Sequence, residues 1–82
     1  MQQLTSARNP IVLAARALQT HAGRISAGQF LCEGEHLVGE AIRNVPDRVR
    51  AIFVQQGRED AFTALTSTTP DATLYCVPEH VL

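Results

Sequence analysis

The side chains best suited to chemistry in this sequence are its basic residues, all seven of which are arginines. An arginine guanidinium is a planar fork of N–H donors that fits phosphate oxygens and also stacks on nucleobases. Arg8, Arg16 and Arg24 lie within the first 28 residues, which contain no carboxylate, whereas all eight acidic residues come later. An all-arginine set can equally reflect genomic base composition, so the placement carries the argument. It predicts a cationic N-terminal surface on a chain whose formal net charge is −1.

No catalytic or metal-binding pattern accompanies these arginines. The three histidines, His21, His36 and His80, show neither HxxH nor HExxH spacing. The glycines match neither GxGxxG nor GxxxxGK[ST], so no nucleotide-binding loop is predicted. Cys32 and Cys76 form no CxxC pair and are expected to be reduced, packed thiols. We therefore expect a segment with no catalytic residues, no metal and no cofactor of its own.

Length and composition indicate one small globular domain over residues 1–82. A hydrophobic fraction of 45% with 18% charged residues excludes a disordered tail. No apolar run approaches the roughly 18 residues that a membrane-spanning helix needs, and the polar start does not resemble a signal peptide. Without a secretion signal or a disulfide framework, the expected compartment is the cytoplasm.

The hydrophobic pattern predicts alternating helices and strands. Asn9 and Pro10 are typical of a helix start and Gly23 of a helix end, which predicts a first helix over 10–22. The other predictions are a loop over 24–28, strands over 29–33, 51–54 and 73–77, and helices over 35–44 and 57–66. Such alternation favours a mostly parallel sheet covered by helices. Residues 78–82 would begin a further helix too short to be stable alone, so a piece of a longer protein is expected.

The motifs in the first half of the chain resemble a known family. They read SARNP-x-V at 6–12, R-x-x-x-G-x-FL-x-EG at 24–34 and LV-x-EA at 37–41. This combined pattern resembles the N-terminal substrate-binding domain of the SpoU (TrmH-type) RNA 2′-O-ribose methyltransferases. The resemblance covers residues 4–43 and becomes a generic hydrophobic pattern over 44–82.

The resemblance implies an α/β fold: an L30e-like three-layer α/β/α sandwich with a small, mostly parallel sheet and a truncated last helix. It implies a domain that binds RNA, with ribosomal RNA favoured over transfer RNA, and that binds neither DNA nor a membrane. The parent would be a 2′-O-ribose methyltransferase whose S-adenosylmethionine site and catalytic arginine belong to a separate C-terminal domain. That absent domain would make the parent a homodimer, and this segment is expected to be a monomer.

The resemblance also indicates which residues would contact RNA. Related L30e and L7Ae ribosomal proteins contact RNA at the turn between their first strand and second helix, which corresponds here to residues 33–36. The expected RNA contacts are Arg8, Arg16, Arg24, Glu33, Gly34 and His36. Glu33 and Gly34 would equally serve only to turn the chain. Leu13 and residues 20–22 lack basic side chains that many relatives carry there, which implies weak binding by this segment alone.

Two other functions remain open at this point. One is a stand-alone RNA-binding module of the L30e/L7Ae kind with no attached enzyme. The other is a small regulatory or interaction domain with no RNA partner, which the net charge of −1 favours. The residues that follow Leu82 would distinguish these alternatives from the methyltransferase interpretation.

Overall fold

The computed structural model describes residues 1–60 and 68–81 and contains a small sheet of parallel strands. The strands are β1 (Gln2–Gln3), β2 (Ala51–Gln55) and β3 (Thr73–Val77), arranged in the order β1-β3-β2. Because the strands are parallel, their carboxyl ends lie at one edge of the sheet.

The central strand β3 fixes the register of both neighbours. Phe53 of β2 pairs with Tyr75 on one side, and Gln2 of β1 pairs with the same Tyr75 on the other. The Leu4 N–H donates to the Cys76 carbonyl oxygen at 2.9 Å, which continues this pairing just beyond β1. The N-terminal residues are therefore held in the sheet by backbone hydrogen bonds.

The described helices are α1 (Pro10–Ala17), α2 (His21–Ala27) and α3 (Glu35–Asn44), with 3₁₀ turns at Pro46–Arg48 and Glu79–Val81. The Asn9 side chain accepts a hydrogen bond from the Ile11 N–H at 2.9 Å, so Asn9 is the predicted N-cap of α1. Gly28 ends α2 in the left-handed conformation, with a φ of 67°.

Helices cover both faces of the sheet. Alternate residues of β2 and β3 point to opposite faces. On the α1 face the rings of Phe53 and Tyr75 stack with centroids 5.1 Å apart. The buried cluster beside these rings consists of Leu4, Val12, Val77 and Val81. On the α3 face the buried cluster consists of Ile42, Ile52 and Val54. The α/β class and its small parallel sheet, predicted from the sequence, are confirmed.

The predicted single helix over 10–22 is wrong, as is the predicted loop over 24–28. The first helix ends at Ala17, and α2 begins after Thr20. The Thr20 hydroxyl accepts from the Gly23 N–H and donates to the Ala17 carbonyl oxygen, each at 3.0 Å. This hydroxyl therefore ends one helix and starts the next, and Gly23 lies inside a helix rather than at its end.

The predicted strand over 29–33 is also wrong. These residues adopt no regular structure, and the Phe30 side chain is 75% exposed. A strand exists only where a neighbouring strand pairs with it, and the β propensity of a short apolar run does not supply that neighbour. The segment instead forms one wall of a groove of about 1570 Å³. Residues of α1, α3 and β2 also line this groove.

The remaining elements agree closely with the sequence pattern. The helix over 35–44 and the strand over 73–77 have their predicted bounds, and the strand over 51–54 extends by one residue. The predicted helix over 57–66 lies largely outside the described residues. Both cysteines are free thiols in the described chain; Cys76 is buried, whereas Cys32 is only half-buried. None of the described helices has the length and apolar character that crossing a membrane requires.

Candidate functional site

Arg8 lies immediately before α1 and is exposed. Its backbone N–H donates to the Ser6 hydroxyl at 3.1 Å. This hydrogen bond holds the backbone of residues 6–8 and does not involve the Arg8 guanidinium, which is exposed to solvent. Within residues 1–60 and 68–81, the Arg8 guanidinium forms no ion pair. Arg8 is therefore an exposed cation, without a carboxylate partner among the described residues, near the start of a helix.

Arg16 and Arg24 are held by backbone carbonyl groups. The Arg16 Nη2 atom donates to the Val81 carbonyl oxygen at 2.9 Å, which links α1 to the last turn of the described chain. The Arg24 Nη1 atom donates to the Leu18 carbonyl oxygen at 3.1 Å and so caps the end of α1. These partners are neutral, so both guanidinium groups keep their full charge and further N–H donors.

Glu33, Gly34 and His36 lie together at the start of α3. The strand predicted before them is absent, so residues 33–36 join an irregular segment to α3 and do not form the predicted strand-to-helix turn. Gly34 has a φ of 93°, a conformation that requires glycine, and its carbonyl oxygen accepts from the Val38 N–H at 3.0 Å. No side chain caps this helix end, while Glu33 and His36 are both exposed. The first amide groups of α3 therefore face outward at the positive end of the helix dipole.

An arginine that the sequence analysis did not select lies beside this turn. Arg58 Nη2 donates to Glu35 Oε1 and forms an ion pair with it, although 23 residues separate the two. Both residues line a cleft of about 200 Å³ together with Gly34 and Gln55. Arg58 follows β2, and α3 begins at the same edge of the sheet. The rule that open parallel sheets bind ligands beyond the carboxyl ends of their strands would have drawn attention to Arg58.

The structure divides the predicted site residues into two groups. Arg16, Glu33 and Gly34 line the large groove, whereas Arg8, Arg24 and His36 do not. The same groove is also lined by Arg48 and Arg50, which the sequence analysis did not select. Glu33 is the one carboxylate among the described residues that line the groove, so this lining carries a net positive charge.

Cys76 is buried and carries a neutral thiol. Its Sγ donates to Glu59 Oε1 at 3.0 Å, while Glu59 Oε2 accepts from the Gly57 N–H at 3.0 Å. The hydrogen bond to the Glu59 carboxylate raises the pKa of Cys76, and the same bond lowers the pKa of Glu59. A thiol held in its protonated form is a poor nucleophile, so Cys76 is a structural residue. Among the described side chains, no three His, Cys, Asp or Glu residues are grouped so as to hold a metal ion.

Comparison with known proteins identifies the family to which this chain belongs. Residues 9–82 match the family model described as the MRM3-like substrate binding domain. The chain belongs to that family. It is also 36% identical over 101 residues to the 23S rRNA (guanosine(2553)-2'-O)-methyltransferase RlmP of Bacillus subtilis (strain 168). No solved structure matches the chain significantly.

The match supports the family assignment made from the motifs: this MRM3-like domain is a substrate-binding domain of the SpoU type. The alignment with the Bacillus subtilis enzyme covers all of this chain and 40% of that enzyme, so the chain spans about 40% of the length of its curated relative. The matched region includes Arg16, Arg24 and the turn at residues 33–36, whereas Arg8 immediately precedes it.

Proposed function

We propose that this MRM3-like domain binds ribosomal RNA for a longer enzyme that methylates a ribose 2′-hydroxyl. The observation that carries the proposal is the match of residues 9–82 to a substrate binding domain. The 36% identity to an enzyme named as a 23S rRNA 2′-O-methyltransferase supports ribosomal RNA as the substrate class, in preference to transfer RNA.

The positions of the basic residues fit a contact with the RNA backbone. In the described chain Arg8, Arg16 and Arg24 have no carboxylate partner, whereas Arg43 and Arg50 are paired with acidic residues. Unneutralised guanidinium groups attract phosphate and release its counterions. We therefore propose that these three arginines contact phosphate groups on the α1–α2 side of the domain.

The turn that precedes α3 would contact the RNA in another way. Gly34 has no side chain, so the backbone there approaches a ligand closely, and the outward amide groups at the helix start favour phosphate. The exposed His36 ring is suited to stacking on an unpaired base. Glu33 accepts hydrogen bonds and would contact RNA hydroxyl or amino groups rather than phosphate.

The methyl transfer itself would belong to another part of the parent enzyme. We propose that S-adenosylmethionine binds there, that the same part forms a homodimer, and that the parent acts in the cytoplasm. The stand-alone RNA-binding module is the weaker alternative, because the curated relative is a methyltransferase.

The test is a titration of a fluorescein-labelled RNA stem-loop by fluorescence anisotropy at several salt concentrations, with a DNA stem-loop of the same sequence as the comparison. Three phosphate contacts imply a slope of about −2 to −3 in log K against log[salt]. Arg8→Ala and Arg24→Ala should each weaken binding and flatten that slope by about 0.7–0.9.

Arg43→Ala is the matched control, because Arg43 is exposed and already paired with Glu40 at 2.6 Å. This variant should bind RNA as the wild-type domain does. Equal binding to RNA and DNA, or a slope that Arg8→Ala and Arg24→Ala leave unchanged, would contradict the proposed function.

A further inference from the structure

The ion pair between Glu35 and Arg58 joins two elements at the carboxyl end of the sheet. Glu35 is the first residue of α3, and Arg58 follows β2. The two side chains remain 60% and 53% exposed, respectively, and lie on the rim of the cleft of about 200 Å³. The pair is therefore accessible to a ligand that approaches the turn at residues 33–36.

This pair differs from the other ion pairs of the described chain. Arg43 bonds Glu40 one turn away on the same helix, and Arg50 lies 3.8 Å from Asp71. Only the Arg58 pair, among those three, includes a residue of the turn that we assign to RNA.

We infer that Arg58 is an additional phosphate contact of this RNA-binding surface, and that Glu35 holds its guanidinium until an RNA phosphate replaces the carboxylate. The inference rests on the proposed function and adds a residue and a regulating contact to it. Carboxylate and phosphate are alternative partners for the same guanidinium fork, so the exchange needs no change of fold. An exposed ion pair is weak, which makes the exchange feasible.

The inference predicts opposite effects for the two partners. Glu35→Gln keeps the size of the side chain but removes its charge, so it frees Arg58 and removes a carboxylate that repels phosphate. RNA affinity should then rise by about 1.5- to 5-fold, the range that an exposed ion pair supports. Arg58→Ala should lower RNA affinity and flatten the salt slope by about 0.7–0.9.

A double-mutant cycle separates this exchange from simple charge repulsion. In the Arg58→Ala background, Glu35→Gln should lose most of its gain, because no guanidinium is left to free. Glu40→Gln is the matched control, since it removes a carboxylate from the same helix whose partner is Arg43. This control should change RNA affinity by less than Glu35→Gln does. All variants are measured with the labelled RNA stem-loop, after circular dichroism has verified that they are folded.

Three results would overturn the inference. A full gain from Glu35→Gln in the Arg58→Ala background would show that Glu35 acts only by repulsion. Wild-type binding and slope in Arg58→Ala, with losses in Arg8→Ala and Arg24→Ala, would remove Arg58 from the surface but leave the proposed function intact. The absence of RNA binding by the wild-type domain would reject the proposed function and this inference together.

Discussion

Two glycines inside helices are expected to respond in opposite ways to the same substitution. In an unconstrained helix interior, alanine is more stable than glycine by about 1 kcal/mol. At Gly39 of α3 an added Cβ would lie 3.5 Å from Arg43 Nη1, which is an ordinary van der Waals distance. Gly39→Ala should therefore stabilise the domain by about 0.5–1 kcal/mol.

At Gly23 the backbone of the preceding helix reverses this sign. An added Cβ would overlap the Ala17 carbonyl oxygen and lie 2.8 Å from the Ala17 carbonyl carbon. Relieving such an overlap requires a backbone shift, which costs about 1–3 kcal/mol. After subtraction of the helix-propensity gain of about 1 kcal/mol, Gly23→Ala should destabilise the domain by up to about 2 kcal/mol and lower its melting temperature by up to about 16 °C.

Thermal unfolding followed by circular dichroism measures both glycine variants under one set of conditions. The expected order of melting temperatures is Gly39→Ala above wild type and wild type above Gly23→Ala. A melting temperature for Gly23→Ala at or above that of the wild type would show that α1 and α2 are not in the close contact described here. A fall for Gly39→Ala would instead contradict the ordinary van der Waals distances around an added Cβ at Gly39.

Two further predictions concern cofactor binding and acid stability. Isothermal titration of this domain with S-adenosylmethionine should show no saturable heat, and a stoichiometric complex would contradict the assignment of the methyl-donor site to another domain. The lowered pKa of Glu59 predicts stability that is present above the unfolded-state pKa and is lost as the pH falls through the folded-state pKa. Glu59→Gln should flatten this acid limb in thermal melts, and Glu40→Gln should do so separately, because Arg43 lowers the pKa of Glu40. An unchanged acid limb in Glu59→Gln would show that this carboxylate is not held by the Cys76 thiol.

The bounds of a helix or strand could be predicted from the sequence where neighbouring residues mark its two ends. The bounds of α3 were predicted correctly because a glycine precedes it, its apolar residues recur with helical spacing, and Pro46 follows its end. For β3, a short continuous apolar run between loop residues gave the same agreement. In such elements the sequence pattern and the tertiary contacts favour the same structure.

Two of the errors occur where contacts with distant residues decide the structure, and a third occurs where a local side-chain cap does. β1 consists of two glutamines with no hydrophobic pattern, and it is a strand because its backbone pairs with β3. Residues 29–33 have the opposite character, with apolar side chains but no strand beside them. The break between α1 and α2 depends on the Thr20 hydroxyl, whose capping role a purely hydrophobic pattern does not reveal.

For the same reason the site residues were predicted only in part. Sequence placement identified Arg16 and Arg24 as N-terminal cations, but their carbonyl partners depend on how the chain folds. Arg16 reaches Val81, which is 65 residues away. Arg58 was not selected because its relation to the turn at residues 33–36 comes from a tertiary ion pair.

These carbonyl contacts bear on how strongly each arginine should bind RNA. Immobilising a flexible side chain at an interface costs about 0.5–1.5 kcal/mol. Arg24 is already held by the Leu18 carbonyl oxygen, so part of this cost is met during folding, whereas Arg8 has no such contact among the described residues. Arg8 and Arg24 carry the same charge, and each is expected to contact one phosphate. Arg24→Ala should therefore weaken RNA binding more than Arg8→Ala, while both variants flatten the salt slope equally. A larger loss for Arg8→Ala would mean that the Leu18 contact competes with the phosphate instead of preparing the guanidinium for it.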